Sequence, residues 1–383
     1  MDQVPKPRAL GRRPALDGLR ALAVLGVVGQ HYIARLVPGG AVGVTVFFVL
    51  SGFLITSLLL EEWDRRATVS FRRFWARRAL RLLPALLLLL AVDLVVHLAI
   101  DGSAGLGRGW AAIWGPLSYV NNWLYVYGRR SNELTPLWSL AVEEQFYVVW
   151  PAVLLALLHL GLRGRALTRV VTGIALAALA WHLRWWAVGG TYARAYYGTD
   201  MRAYELLAGC ALACAWRTGA FDRVSRGRLG SSLAAGSGLC LAAIAVGTHA
   251  AEVTPLGSLA TLAAAVVVIT MVEARGRLLR LAATPVLVRV GIMSYGIYLW
   301  NFFFLGVFGW AAPYRELDLA LTFLVATLSF RLVEEPVLRL KARFSGATST
   351  GDALTPLAVP PSPRKRALPV VEPAAAAGVQ TGG

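Results

Sequence analysis

Acidic residues, cysteine and histidine are all scarce in this chain of 383 residues, which has 21 aspartates and glutamates, three cysteines and five histidines. Charged residues of both signs make up 15% of the sequence, against about 25% in soluble domains. That shortage argues against a soluble globular protein. Disorder is also disfavoured for most of the chain, because 57% of the residues are hydrophobic and the mean hydropathy is +0.59. Three cysteines build no disulfide framework. Cys210 and Cys214 lie four apart in an apolar run and share a helix face, so they read as small buried hydrophobes, and no metal site is expected. No removable signal peptide is expected either, since the first long apolar run is the body of a predicted span preceded by basic residues. No internal repeat is visible, which weighs against a transporter made of symmetric halves.

What is abundant is apolar sequence in lengths that cross a bilayer, about 20 residues each. Ten such stretches are predicted: 16–35, 41–60, 82–100, 138–160, 170–188, 201–216, 232–248, 255–273, 290–310 and 318–338. The expectation is therefore an all-α, polytopic membrane bundle of about ten helices. Residues 110–127, rich in tryptophan and tyrosine, read as an interfacial or re-entrant segment rather than an eleventh span. The net charge of +17 tests that count. Most of the 38 lysines and arginines fall in Lys6–Arg13, Arg65–Arg81, Arg163–Arg169, Arg217–Arg228, Arg275–Arg289, Arg339–Arg343 and Arg364–Arg366. An even alternation from a cytoplasmic N-terminus puts every one of these groups inside, so both termini are expected in the cytoplasm. Nucleic-acid binding is disfavoured, because the charge is divided among loops rather than gathered on one soluble face. The organisation expected is a cytoplasmic segment over 1–15, a transmembrane domain over 16–343, and a disordered cytoplasmic tail over 344–383, rich in proline, alanine and glycine.

Ionisable residues inside a span are costly and point to function. The first predicted helix has two, Arg20 and His31, eleven positions apart. On a helix that spacing is about 16 Å of rise and about 20° of rotation beyond three turns, so both project from nearly one face. A cation thus lies at one level and an imidazole, suited to general-base work, lies above it. At the start of the third span, Arg77, Arg78 and Arg81 are spaced to cluster on one side of a helix, and guanidinium groups suit phosphates. The same run also serves as a topogenic loop. The fourth span opens with Glu143, Glu144 and Gln145, and Glu143 shares a face with Tyr147. One of the carboxylates is suited to orienting His31 or balancing its charge, the other to complementing the helix dipole.

Taken together and in order, these blocks resemble the integral-membrane acyltransferase 3 family over most of residues 13–340. Arg20 and His31 match the family's Arg-x10-His signature. Gly43–Ile55, which includes Ser51, resembles its second-helix block, Arg77-Arg78-x-x-Arg81 with Pro84 its basic loop, and Ser139–Pro151 its Ser-Leu-x-Val-Glu-Glu-Gln-Phe-Tyr block. Weaker likenesses are Thr199-Asp200-Met201-Arg202, Ser294–Trp300 with Tyr298, and Phe330-x3-Glu334-x-Pro336. Thr45 stands where an aspartate is common, Asn301 where many members have histidine, and Phe330 where tyrosine is frequent. The chain is similar to the form that lacks an appended esterase-like domain.

The resemblance implies an O-acyltransferase. Acyl-CoA, most simply acetyl-CoA, would serve as co-substrate with no bound cofactor. The acceptor would be a hydroxyl of a glycan, a lipid-linked sugar or a macrolide-like small molecule. It assigns His31 and Glu143 to catalysis and Arg20, Arg77, Arg78 and Arg81 to the donor, with Ser51, Asp200, Arg202, Tyr298 and Glu334 as further site candidates. The rival reading is a transporter or exporter of a glycan or lipid intermediate.

Overall fold

The computed structural model describes residues 8–102, 113–129, 134, 137–222, 228–247, 253–273, 277–308 and 315–344. Every regular element among them is helical. In chain order they include α1 (Pro14–Tyr32), α2 (Val42–Arg66), α3 (Phe71–Asp101), α4 (Asn121–Val126), α5 (Leu137–His159), α6 (Gly164–Ala187), α7 (Tyr192–Tyr197) and α8 (Thr199–Arg217). There follow α9 (Arg228–Gly247), α10 (Pro255–Glu273), α11 (Arg277–Ala282), α12 (Pro285–Ile292), α13 (Ser294–Phe308) and α14 (Arg315–Ser329). One π-helical turn (Phe330–Glu334) then leads into α15 (Glu335–Phe344).

Local chemistry explains several helix ends. α1 starts at Pro14, whose missing N–H falls where a helix has no use for it. Ser70 caps α3 by accepting the Arg73 N–H at 3.4 Å. Pro84 and Pro151 lie inside α3 and α5, as membrane helices tolerate when neighbours supply the lost contacts.

Six helices are long and apolar enough to cross a membrane, namely α2, α3, α5, α6, α9 and α10. The pair α12 and α13 makes a seventh if it is one span, bent by 64° between Ile292 and Ser294. The predicted spans 16–35, 201–216 and 318–338 are also helical, but length and composition alone do not qualify them. α1 carries Asp17, Arg20, Gln30 and His31, α8 carries Asp200, Arg202, Glu205 and Arg217, and α14 is 15 residues long before the π turn. Leucines, valines and an isoleucine project outward from the long helices, among them Leu87, Val95 and Ile100 of α3, Val148 and Val149 of α5, and Leu239 and Val246 of α9. A surface so apolar suits lipid rather than water, and the chain is a multi-pass membrane protein.

Within the aromatic stretch 110–127, the residues from 113 on fold against the bundle as short helices, with Asn121, Asn122 and Tyr125 buried. Gln145 of α5 holds this segment. It accepts from Trp123 Nε1 at 3.1 Å and donates to the Tyr119 carbonyl at 2.6 Å and to Asn122 Oδ1 at 2.9 Å. Of the predicted terminal segments, residues 1–7 and 345–383 lie outside the described residues.

α2 runs through the middle of the bundle and packs most closely on α8. Two glycines make this approach possible. A Cβ on Gly52 would lie on the Leu206 carbonyl oxygen, and one on Gly209 would lie on the Val49 carbonyl oxygen. Small residues at a membrane helix crossing allow backbones this close. The crossing fixes α2, and with it the wall of the cavity described next.

Candidate active site

Between α1, α2, α3, α5 and α13 lies a cavity of about 120 Å³. A single buried water needs about 10–15 Å³ by the same measure, so the space is on the order of ten waters. Val44, Phe47, Phe48, Leu54 and Ile55 of α2 form much of its apolar side. The polar side gathers residues far apart in sequence: Arg20, Ser51, Arg78, Arg81, Ser139, Glu143, Tyr147, Ser294, Tyr295 and Tyr298.

Three guanidinium groups would be costly here without acids. Arg20 pairs with Asp17 at 3.3 Å, one turn earlier on the same helix. Arg78 donates to Glu144 Oε1 from Nε at 3.2 Å and from Nη2 at 2.5 Å. Its guanidinium carbon lies over the Tyr147 ring, 3.7 Å from the centroid, a cation–π contact for which arginine and lysine are not interchangeable. Arg81 has both Arg20 and Asp17 as charged neighbours. Asp17, Glu143 and Glu144 thus balance Arg20, Arg78 and Arg81. Ser51 hydrogen-bonds the Tyr147 hydroxyl and the Glu143 carboxylate, which has Arg78 and Arg20 as cationic neighbours. Tyr298 shares a 2.7 Å hydrogen bond with Ser139, and Tyr295 donates to the Leu82 carbonyl at 3.1 Å.

The basic run of α3 therefore divides. Arg78 and Arg81 line the cavity, whereas Arg77 stands outside it, 3.5 Å from Glu62 and 37% exposed. His31 and Glu143 are not joined. Glu143 faces the cavity with Ser51, and His31 lies beyond its lining, with Nδ1 2.9 Å from the Asn301 amide nitrogen and its ring edge-on to Phe302 at 4.1 Å.

Among the other candidates, Ser51 and Tyr298 line the cavity, but Asp200, Arg202 and Glu334 do not. Asp200 accepts from Arg194 at 2.8 Å and from Trp181 at 3.2 Å. Arg202 is fully buried, 3.2 Å from Glu205, and its guanidinium sits 5.6 and 5.7 Å from the rings of Phe48 and Trp138. Glu334, at the end of the π turn, accepts from Ser329 at 3.2 Å. Sequence reasoning assigned no site role to Tyr147, Tyr295, Ser139, Ser294 or Asn301. Tyr147 carried a signal in its spacing of four from Glu143. Asn301 carried none beyond standing where another residue type is frequent. The arginines, Glu143, serines and tyrosines of the lining are suited to acid–base and electrostatic work on an anionic ligand.

Residues 13–332 match a family model described as "Acyltransferase domain". The peptidoglycan O-acetyltransferase OatA of Listeria monocytogenes is 34% identical over 351 residues, covering 85% of this chain and 55% of that protein. A Bacillus subtilis protein provisionally named a peptidoglycan O-acetyltransferase is 34% identical over 354 residues, covering 85% of this chain and 54% of its own length. A Staphylococcus aureus protein provisionally named an O-acetyltransferase is 32% identical over 348 residues, with 84% and 57% covered. The chain spans little more than half the length of these curated relatives. No solved structure matches it.

Proposed function

The chain belongs to the Acyltransferase domain family, and on that premise we propose that it is a membrane-embedded O-acyltransferase moving a short acyl group, most simply acetyl, from acyl-CoA to a hydroxyl of a surface glycan. The observation that carries this reading is the cavity where Arg20, on the same helix as His31, meets Arg78, Arg81 and Glu143. Its guanidinium groups suit the anionic donor, and its size suits an acetyl thioester better than a fatty chain. The matched relatives carry O-acetyltransferase names, two of them for peptidoglycan. They favour a glycan over a macrolide-like acceptor and give the transport reading no support.

In the proposed reaction the acyl arm lies along α1 between Arg20 and His31. His31 takes the proton of the acceptor hydroxyl as its oxygen bonds to the acyl carbon. The carbon–sulfur bond breaks and the CoA thiolate leaves, taking up the proton that His31 received. Glu143, placed among the arginines, balances charge at the donor rather than holding the imidazole. The ten-span arrangement with both termini inside, which the distribution of basic loops favours, puts His31 toward the outer face, where a surface glycan arrives.

Mass spectrometry of surface glycans from cells with and without the chain tests this reading. The expected result is glycan fragments heavier by one acetyl group only when the chain is expressed. Identical glycans in both, with the protein present in the membrane, would overturn the glycan acceptor.

A further inference from the structure

A neutral imidazole has one nitrogen that carries a proton and one that accepts, and the partner of one nitrogen decides the role of the other. For His31 that partner is Asn301 of α13, whose amide nitrogen stands 2.9 Å from Nδ1. Asn301 is fully buried, and its Oδ1 makes no hydrogen bond in the structure. The contact is held from two further directions. Phe302 packs edge-on against the His31 ring, with centroids 4.1 Å apart. Tyr32 donates to the Asn301 carbonyl at 3.4 Å and shares a 3.2 Å hydrogen bond with Thr322 of α14. Imidazole and carboxamide are thus fixed against each other by three helices.

A carboxamide presents a donor at one end and an acceptor at the other, and a half-turn about its last bond exchanges them. With nitrogen toward Nδ1, the His31 proton must sit on Nε2, which is then a donor and not a base. With oxygen toward Nδ1, that nitrogen carries the proton and Nε2 becomes the basic position, while Nδ2 takes the position that Oδ1 leaves. We propose that Asn301 is a positioning residue that selects the tautomer of His31, its carboxamide oxygen holding Nδ1–H so that Nε2 receives the acceptor's proton. This rests on the reading of His31 as the base. In the step itself the hydroxyl proton passes to Nε2 as oxygen bonds to the acyl carbon and the thiolate departs. The resulting imidazolium donates from Nδ1 to Asn301 Oδ1 until its Nε2 proton passes to the thiolate.

The test compares Asn301→Asp, which only accepts, with Asn301→Leu, which does neither, in the full chain in lipid nanodiscs. Acceptor-dependent CoA release gives kcat and the donor KM. Loss of the partner that orients a metal-binding histidine typically costs about 10–100-fold, and the same range is taken for His31. The expected result is a kcat reduced by that factor in Asn301→Leu with donor KM within about twofold, and near wild-type kcat in Asn301→Asp. Wild-type kcat in the leucine variant, or an aspartate variant as slow as the leucine one, overturns the proposal. Should the leucine variant fail to fold, nitrogen NMR of the His31 imidazole in the unsubstituted chain decides, with a proton on Nδ1 expected and a proton on Nε2 overturning the proposal. His31→Ala separates the two readings. Wild-type turnover there refutes His31 as the base, whereas an inactive His31→Ala beside a fully active Asn301→Leu refutes only the role given to Asn301.

Discussion

Replacing His31 with alanine is expected to lower kcat for acyl transfer by about 10²–10⁴-fold, the range contributed by a positioned general base. The donor KM should change little, because His31 lies outside the lining of the cavity that holds Arg20, Arg78 and Arg81. The fold should persist. His31 is only half-buried, and the helix that carries it is anchored elsewhere by Tyr32 and by the close packing of α1 on α12. Steady-state CoA release and gel filtration in detergent measure both quantities. A variant with unchanged kcat would remove His31 from the chemistry. A variant with a raised KM and unchanged kcat would make it a binding residue instead.

The second large effect is expected at Arg78. Its guanidinium makes two hydrogen bonds to Glu144 and lies over the Tyr147 ring, and both partners are buried. Arg78→Ala leaves the Glu144 carboxylate buried without its cation, a change that typically costs about 3–5 kcal/mol. It also opens the wall of the cavity where the donor is proposed to lie. The expected result is a lower Tm together with a donor KM raised at least tenfold in whatever fraction remains folded. Arg78→Lys should recover part of the stability and less of the KM, since an ammonium keeps the charge but not the planar fork. Arg77 provides the control, as a partly exposed pair with Glu62 is worth about 1 kcal/mol or less. Equal losses in Arg77→Ala and Arg78→Ala would contradict the division of the basic run into a lining and an outer part.

That division marks the limit of what spacing along one helix reveals. Arg77, Arg78 and Arg81 are neighbours on α3 by helical geometry, but Glu62 on α2 and Glu144 on α5 decide which of them turns inward. The shared face of Arg20 and His31 was legible because both lie on one helix. That Arg20 reaches the cavity while His31 reaches Asn301 depends on α13. Hydropathy located the long helices but qualifies α1 and α8 poorly as spans, because of the polar residues they carry, which on α1 include Arg20 and His31 of the proposed site. The π turn at Phe330–Glu334 has a local signature in Pro336, which has no N–H to give the Leu332 carbonyl, whereas the 64° bend after Ile292 follows Gly291, where a Cβ would meet the Asp17 carbonyl of α1. Asn301 in the sequence is a departure from a frequent histidine, and only the fold sets it against Nδ1 of His31.

The most direct measurement is CoA release by the purified chain in nanodiscs, given acetyl-CoA with and without a soluble peptidoglycan fragment, while the acetyl group is followed by mass spectrometry. One CoA released for each acetyl ester gained by the fragment, lost on replacing His31, is the expected result. No acetyl-CoA binding and no ester formation by a folded chain, whatever hydroxyl acceptor is offered, would contradict the assignment of the arginine-lined cavity to an acyl donor.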